Sequence, residues 1–120
     1  MFTDASSVGG GGFVEGGEDI FHFYWADSEK LTSSTYRELE TFRRLLVDFS
    51  LPLRNKDLVW KCDNMNVVNI LARGSMKLQF VAKEIFLIKN ERNIRISAVW
   101  ISGNMNKRAD IISKIPFSFD

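Results

Sequence analysis

Four acidic residues stand out because each lies beside apolar residues or directly after an apolar run: Asp4, Glu38, Asp63 and Asp110. Four carboxylates brought together repel one another, and the loss of surrounding water strengthens the repulsion. Divalent cations relieve it, and a set of oxygen ligands alone suits Mg²⁺ or Mn²⁺. Two such ions about 3.5–4 Å apart hydrolyse phosphodiesters, since one activates water and the other stabilises the leaving oxygen.

Taken one at a time, these acids also have ordinary structural explanations. The Asp63-Asn64 pair is suited to cap the helix that follows it. Glu38 stands three residues after Thr35, the spacing of a capping box, and Asp110 near the start of a helix complements the helix dipole. Asp4 is harder to explain in this way, because aspartate is unfavourable inside a strand. For each residue alone the structural explanation is favoured; the four together favour a metal site.

The composition excludes several other kinds of site. One cysteine, Cys62, and one histidine, His22, cannot build a disulfide framework or a zinc site rich in cysteine and histidine. No apolar run approaches the ~20 residues of a membrane span. The net charge of +1, from 16 basic and 15 acidic side chains, is no signature of a nucleic-acid binder. Setting the four candidate acids aside leaves 11 acidic groups against 16 basic ones, a modestly basic balance.

The elements that must position these acids form one domain of 120 residues. Three antiparallel strands are predicted at 2–5, 13–15 and 20–25, with the glycines at 9–12 and 16–17 as the turns that separate them. Apolar spacing predicts helices at 33–51, 65–72, 75–90 and 107–114, and two further strands at 58–62 and 94–101. Ser75 is expected to cap the third helix, and all three tryptophans are expected in the core.

Strands that alternate with helices are typical of parallel crossovers, so the fold class is α/β (α+β) with a mixed sheet covered by helices. In such sheets ligands bind beyond the carboxyl ends of the strands. Asp4 lies late in the first strand, and Asp63 closes the fourth. If these strands are parallel neighbours, both side chains emerge at one edge of the sheet.

Five short motifs in this order resemble the ribonuclease H domain of a reverse transcriptase, of the kind carried by DIRS-type retroelements. They are Phe-Thr-Asp-Ala-Ser at 2–6, Tyr-Arg-Glu-Leu at 36–39, Cys-Asp-Asn at 62–64, Trp-Ile-Ser-Gly-Asn at 100–104 and Arg-Ala-Asp-Ile-Ile-Ser at 108–113. The resemblance implies a five-stranded sheet of order 3-2-1-4-5. It also implies two Mg²⁺ ions, with Mn²⁺ as a substitute, on the four acids.

The same resemblance implies an intracellular enzyme, in cytoplasm or nucleus, that cuts the RNA strand of RNA–DNA hybrids during reverse transcription of a retrotransposon. Residues 1–120 would then be a single domain excised from a longer polyprotein, beside a polymerase domain that holds the hybrid. Contacts to 2′-hydroxyl groups would distinguish RNA from DNA. Six residues are expected to contact nucleic acid, although several of them could equally be helix caps: Ser6, Ser33, Ser34, Thr35, Asn64 and Asn104. Asn104 stands where cellular members of the family carry a loop histidine.

Two other functions remain open from the sequence. Retroelements also carry catalytically silent ribonuclease H-like modules that position a polymerase or support subunit contacts, and fold alone does not establish activity. Retention of all four repelling carboxylates favours an enzyme over such a module. Another two-metal nuclease or an integrase on a related fold is disfavoured, because the last acid lies in a short terminal helix directly after a strand that contains tryptophan.

Overall fold

A computed structural model describes residues 1–17, 19–49, 52–73 and 79–115 of the chain. Its five strands are β1 (Phe2–Ala5), β2 (Gly9–Phe13), β3 (Ile20–Tyr24), β4 (Asp57–Cys62) and β5 (Arg95–Trp100). They form one mixed sheet in the order β3-β2-β1-β4-β5, which confirms the expected order. The pairs β1–β2 and β2–β3 are antiparallel, whereas β1–β4 and β4–β5 are parallel. The carboxyl ends of β1 and β4 therefore meet at one edge.

Four α-helices accompany the sheet within the described residues: α1 (Ser34–Phe49), α2 (Met65–Arg73), α3 (Gln79–Glu91) and α4 (Lys107–Ser113). Short 3₁₀ turns at Glu29–Leu31 and Gly103–Asn106 precede α1 and α4. The expected cap at Ser75 lies outside the described residues. Among those residues, no helix combines the length and the apolar character that a bilayer-spanning segment requires.

The core lies between the sheet and α1. Apolar residues at spacings of three and four along this helix are fully buried, as its sequence predicts: Leu39, Phe42, Leu45 and Leu46. The Phe42 ring stacks on the ring of Trp60 in β4, with centroids 3.8 Å apart and planes at 12°. In turn the Trp60 indole N–H donates to Thr3 Oγ1 at 2.7 Å, which ties α1, β4 and β1 together below the acidic residues.

Four consecutive glycines form most of β2, so their prediction as a turn between strands is wrong. A side chain on Gly10 would collide with Thr41 of α1, and one on Gly11 would collide with Ile112 of α4. Both helices therefore lie closer to the sheet than any larger residue would allow. Gly11 pairs directly with Asp4, so the close approach brings the helix that carries Asp110 over the first acid.

The three tryptophans do not all belong to the core. Trp25 and Trp60 are buried, as expected, but Trp100 at the end of β5 is 46% exposed. Its indole N–H donates to the backbone carbonyl of Asp63 at 3.1 Å. The prediction of a core position is wrong for Trp100, which packs instead at the edge where the acids lie.

Candidate active site

All four predicted acids converge at the carboxyl edge of β1 and β4. Besides burial, the charge of Asp4 raises the pKa of Glu38, and the charge of Asp110 raises the pKa of Asp4, so these side chains lie close together. The charge of Asp63 acts on both Asp4 and Glu38. One acid comes from each of β1, the end of β4, α1 and α4, so the cluster depends on the whole topology.

Glu38 points into this cluster and does not form a capping box. Its Oε1 accepts a hydrogen bond from the backbone N–H of Ala5 at 3.1 Å. Its Oε2 is buried and has no hydrogen-bond partner within the described residues. Ser33 takes the capping role at α1 instead, since its Oγ accepts from the backbone N–H of Tyr36 at 3.1 Å.

Asp63 likewise does not cap a helix, because its neighbour Asn64 does. The side chain of Asn64 caps α2, with Oδ1 accepting from the backbone N–H groups of Asn66 at 2.9 Å and Val67 at 3.3 Å. The Asp63 carboxylate lies instead with Glu38 and Cys62, the ligand atoms of the three being within 4.8 Å of one another. The sequence left capping and metal binding open for Asp63-Asn64, and the structure divides the two roles between the pair.

The pKa values of the acids in the cluster reflect their burial and their closeness to one another. Burial raises the pKa of Asp4 from 3.8 to about 7, and the nearby Asp110 and Asp63 contribute to the rise. Burial also raises the pKa of Glu38, with Asp4 as the next cause. Without a cation, protons therefore neutralise part of the cluster near neutral pH. Burial raises the pKa of the Cys62 thiol as well, so the thiol stays protonated. The ligand atoms that this cluster offers a metal ion are therefore carboxylate oxygens.

These residues fit a divalent cation. Asp4 and Glu38 are 6% and 5% exposed. No basic side chain among the described residues forms an ion pair with either carboxylate. Glu38 also keeps one unpartnered buried oxygen, which a positive ion would satisfy. The Asp110 side chain is 42% exposed, and its ion pair with Lys114 at 3.1 Å is itself exposed.

No protein-family model matches the sequence, and no curated protein matches it significantly. Solved structures do match the fold. The crystal structure of LC11-RNase H1 in complex with an RNA/DNA hybrid superposes with a TM-score of 0.73 at 20% identity, covering 92% of this chain and 90% of that one. This is the ribonuclease H fold. A structure of LC11-RNase H1 isolated from compost matches with a TM-score of 0.58 at 20% identity, over 92% and 87% of the two chains.

On this ribonuclease H fold, the residues predicted to contact nucleic acid lie around the acids in separate local roles. Ser33 and Asn64 are helix caps. Ser6 Oγ donates to the Ser113 carbonyl at 2.8 Å and so ties the turn after β1 to the end of α4. The others lie in the first turn of α1 or in the exposed turn before α4: Ser34, Thr35 and Asn104. Contact of these six with nucleic acid stays a prediction.

Asn106 is a site residue that the sequence analysis missed. It is 1% exposed, and its Nδ2 donates to the Thr3 carbonyl at 2.8 Å and to Asp63 Oδ2 at 3.4 Å. The only sequence signal for it is its place four residues before Asp110, one helical turn from that acid. Asn104, two residues earlier, has the same side chain, and the sequence analysis predicts the site role for that residue instead.

Proposed function

We propose that this protein is a metal-dependent ribonuclease that hydrolyses the RNA strand of RNA–DNA hybrids. The observation that carries the proposal is the convergence of Asp4, Glu38, Asp63 and Asp110 at one edge of a ribonuclease H fold. Among the described residues, no basic side chain pairs with the two buried acids of this set, Asp4 and Glu38. The likeness to LC11-RNase H1, which was solved with an RNA/DNA hybrid, supports the choice of substrate.

In this proposal the four acids are catalytic residues that hold two Mg²⁺ ions, for which Mn²⁺ can substitute. Such ions supply an activated water and charge stabilisation at the leaving oxygen. The chain contributes the positioning. Glu38 is held by the N–H of Ala5, and the Asp63 backbone by Trp100. Asp4 and Glu38 give up their protons to solvent as cations bind, so the occupied site is fully ionised.

The choice of strand is proposed to rest on hydroxyl and amide groups beside the acids. Ser33, Ser34 and Thr35 begin the helix that carries Glu38, and Asn64 follows Asp63 directly. Hydrogen bonds to 2′-hydroxyl groups are available only on the RNA strand, which makes these positions the place where RNA is told from DNA.

The wider setting that we propose is reverse transcription in a DIRS-type retroelement, inside the cell. The motifs around the four acids support it. The net charge of +1 supports a neighbouring polymerase domain, because so few excess positive charges release few counterions and give weak binding. The polymerase domain would hold the hybrid while this domain cuts it.

The test is cleavage of an end-labelled RNA–DNA hybrid in Mg²⁺ or Mn²⁺, with duplex DNA and duplex RNA as control substrates. We expect cleavage of the hybrid's RNA strand alone, and none from Asp4→Asn or Asp63→Asn. Asp48→Asn is the matched control, because Asp48 is an exposed acid of α1 and should leave cleavage unchanged. Absence of cleavage with either metal, at low salt and high enzyme concentration, would favour the silent module that positions a polymerase.

A further inference from the structure

Asn106 occupies the point at which β1 and β4 separate. The two strands are paired at Phe2 with Lys61, and the Lys61 N–H donates to the Met1 carbonyl at 2.8 Å. Beyond this pair, the Thr3 carbonyl accepts from the Asn106 side chain at 2.8 Å. The Asn106 amide therefore lies just beyond the paired part of β1 and β4, next to the acids at the ends of these two strands.

The same amide group reaches the second strand's acid. Its Nδ2 lies 3.4 Å from Asp63 Oδ2, so one NH₂ group bridges the backbone next to Asp4 and the carboxylate of Asp63. Asn106 also directly precedes α4, whose Asp110 follows one turn later. A single buried side chain thus links the three segments that carry three of the four acids.

The carbonyl oxygen of the Asn106 side chain shows that packing alone does not explain an asparagine at this position. Asn106 Oδ1 is buried and has no hydrogen-bond partner within the described residues. A buried acceptor without a partner costs stability, and an apolar side chain of similar shape, such as leucine, would avoid that cost. The feature of asparagine that the site uses is therefore its Nδ2 donor.

We infer that Asn106 is a positioning residue of the metal centre, which sets the placement of the Asp63 carboxylate relative to Asp4 through its bridge to the Thr3 carbonyl. This inference rests on the proposed function, because it assigns the acids to cations. Loss of the donor leaves Asp63 free to rotate away from Asp4. Partners that orient a metal ligand in this way are typically worth about 10- to 100-fold in metal affinity.

The experiment compares two variants that both lose the donor but differ in packing. Asn106→Leu fills the site, whereas Asn106→Ala leaves a cavity and should melt at a lower temperature. Asn90→Ala, at an exposed position of α3, is the matched control. For each protein the dissociation constant for Mn²⁺ is measured by calorimetry, and the melting temperature is measured in EDTA.

We expect both Asn106 variants to bind Mn²⁺ about 10- to 100-fold more weakly than the wild type, by similar factors despite their different melting temperatures. Excess Mn²⁺ should restore much of their hybrid cleavage, while the KM for hybrid stays near the wild-type value. An Mn²⁺ affinity that follows the melting temperature, or that stays within about twofold of wild type in Asn106→Leu, would show a merely structural residue. Failure of both variants to fold would show the same.

The outcomes also separate this inference from the proposed function. If the wild type binds Mn²⁺ and cleaves hybrid but the Asn106 variants bind Mn²⁺ normally, only the positioning role is overturned. If the wild type binds Mn²⁺ without cleaving hybrid and the variants bind it weakly, the positioning role holds and the ribonuclease does not. If the wild type binds no Mn²⁺, the metal centre and both proposals fall.

Discussion

Two glutamates of α1, only two residues apart, show how differently a buried carboxylate can be treated. Glu38 and Glu40 are each 5% exposed. Glu40 accepts hydrogen bonds from Arg43 at 2.6 and 2.8 Å and from Arg44 at 2.8 Å. Glu38 has one backbone N–H, from Ala5, and one buried oxygen without a partner among the described residues.

Their pKa values move in opposite directions for this reason. Burial opposes ionisation of both groups, but the hydrogen bonds from Arg43 and Arg44 outweigh it and lower the pKa of Glu40. For Glu38 burial is the first cause and the neighbouring Asp4 is the second, and both raise its pKa. The charge of Glu40 is paired within the fold, whereas Glu38 is left to a proton or, as we propose, to a cation. That contrast separates a structural ion cluster from a candidate metal centre.

The largest expected effect comes from neutralising each glutamate in turn. Glu38→Gln should lower hybrid cleavage by about 10³-fold or more, since several kcal/mol of metal-dependent stabilisation are lost. Its stability in EDTA should stay the same or rise, because repulsion is relieved. Glu40→Gln should leave the four acids in place and reduce stability by about 1–3 kcal/mol, because the arginines lose the negative charge and one of the two oxygens that accept from them.

Cleavage rates and urea unfolding in EDTA measure the two effects on the same preparations. A Glu38→Gln protein that loses stability but keeps its activity would reverse the contrast and assign Glu38 to the scaffold. Asp48→Asn, at an exposed position of the same helix, controls for the loss of one negative charge from α1.

The second expected effect is that Asp4 and Glu40 contribute to stability with opposite dependences on pH. The folded, metal-free protein keeps a proton on Asp4 up to about pH 7, whereas the unfolded chain loses it near 3.8. The stability contributed by this proton is complete below pH 3.8 and is lost as the pH rises through 7, a change on the order of a few kcal/mol. Glu40 has a lowered pKa, so its contribution is present above 4.5 and is lost as the pH falls through the folded value.

Urea unfolding in EDTA from about pH 5 to pH 8 tests this sign for wild type and Asp4→Asn. The wild type should lose stability across the interval, and the variant should lose less, because only the raised pKa of Glu38 then couples unfolding to pH. Mn²⁺ should reverse the trend, because cations compete better with protons at higher pH. A wild type whose stability rises steadily over this interval without metal would mean that Asp4 and Glu38 are not crowded as described.

A third variant disturbs the metal centre through packing rather than charge. In Gly11→Ala the new methyl group collides with Ile112, so α4 and its Asp110 must shift away from Asp4. We expect a stability loss of about 1–3 kcal/mol, as in other overpacked sites, together with weaker Mn²⁺ binding. Gly17→Ala, at an exposed position where the methyl group meets Val14, is the control. Unchanged Mn²⁺ affinity in Gly11→Ala would separate α4 from the site.

Much of the comparison between Glu38 and Glu40 is already present in the sequence. Glu40 has arginines three and four residues later, the spacing of helical ion pairs, whereas Glu38 has Thr41 and Phe42 there. The strand order is implied by the resemblance of the motifs to ribonuclease H domains and not by local pattern. Local pattern does predict the acids at the strand ends. These features depend on periodicity and on nearest neighbours, which a sequence displays directly.

The errors concern residues whose role is decided by distant parts of the chain. Glycine is locally unfavourable in a strand, so the pattern at 9–12 predicts a turn until α1 and α4 are known to press on both faces. Asn104 and Asn106 are alike in sequence, and only the path of the chain past β1 buries one of them. Trp100 is 46% exposed although it lies in an apolar strand, which its local sequence does not indicate.

The smallest expected effect concerns Lys114, which among the described residues is the one basic side chain paired with an acid of the candidate metal centre. Lys114 lies one turn after Asp110 and pairs with it at 3.1 Å, with 60% of its own side chain exposed. Exposed pairs at this spacing contribute about 0.3–0.5 kcal/mol, so they are weak beside the arginine bonds of Glu40. Lys114→Met should therefore cost little stability and should strengthen Mn²⁺ binding about twofold, because the cation no longer competes with the ammonium group. Lys107→Met, an exposed position on the same helix, should change the Mn²⁺ affinity less; if the two variants are equal, the effect is one of net charge and not of the pair.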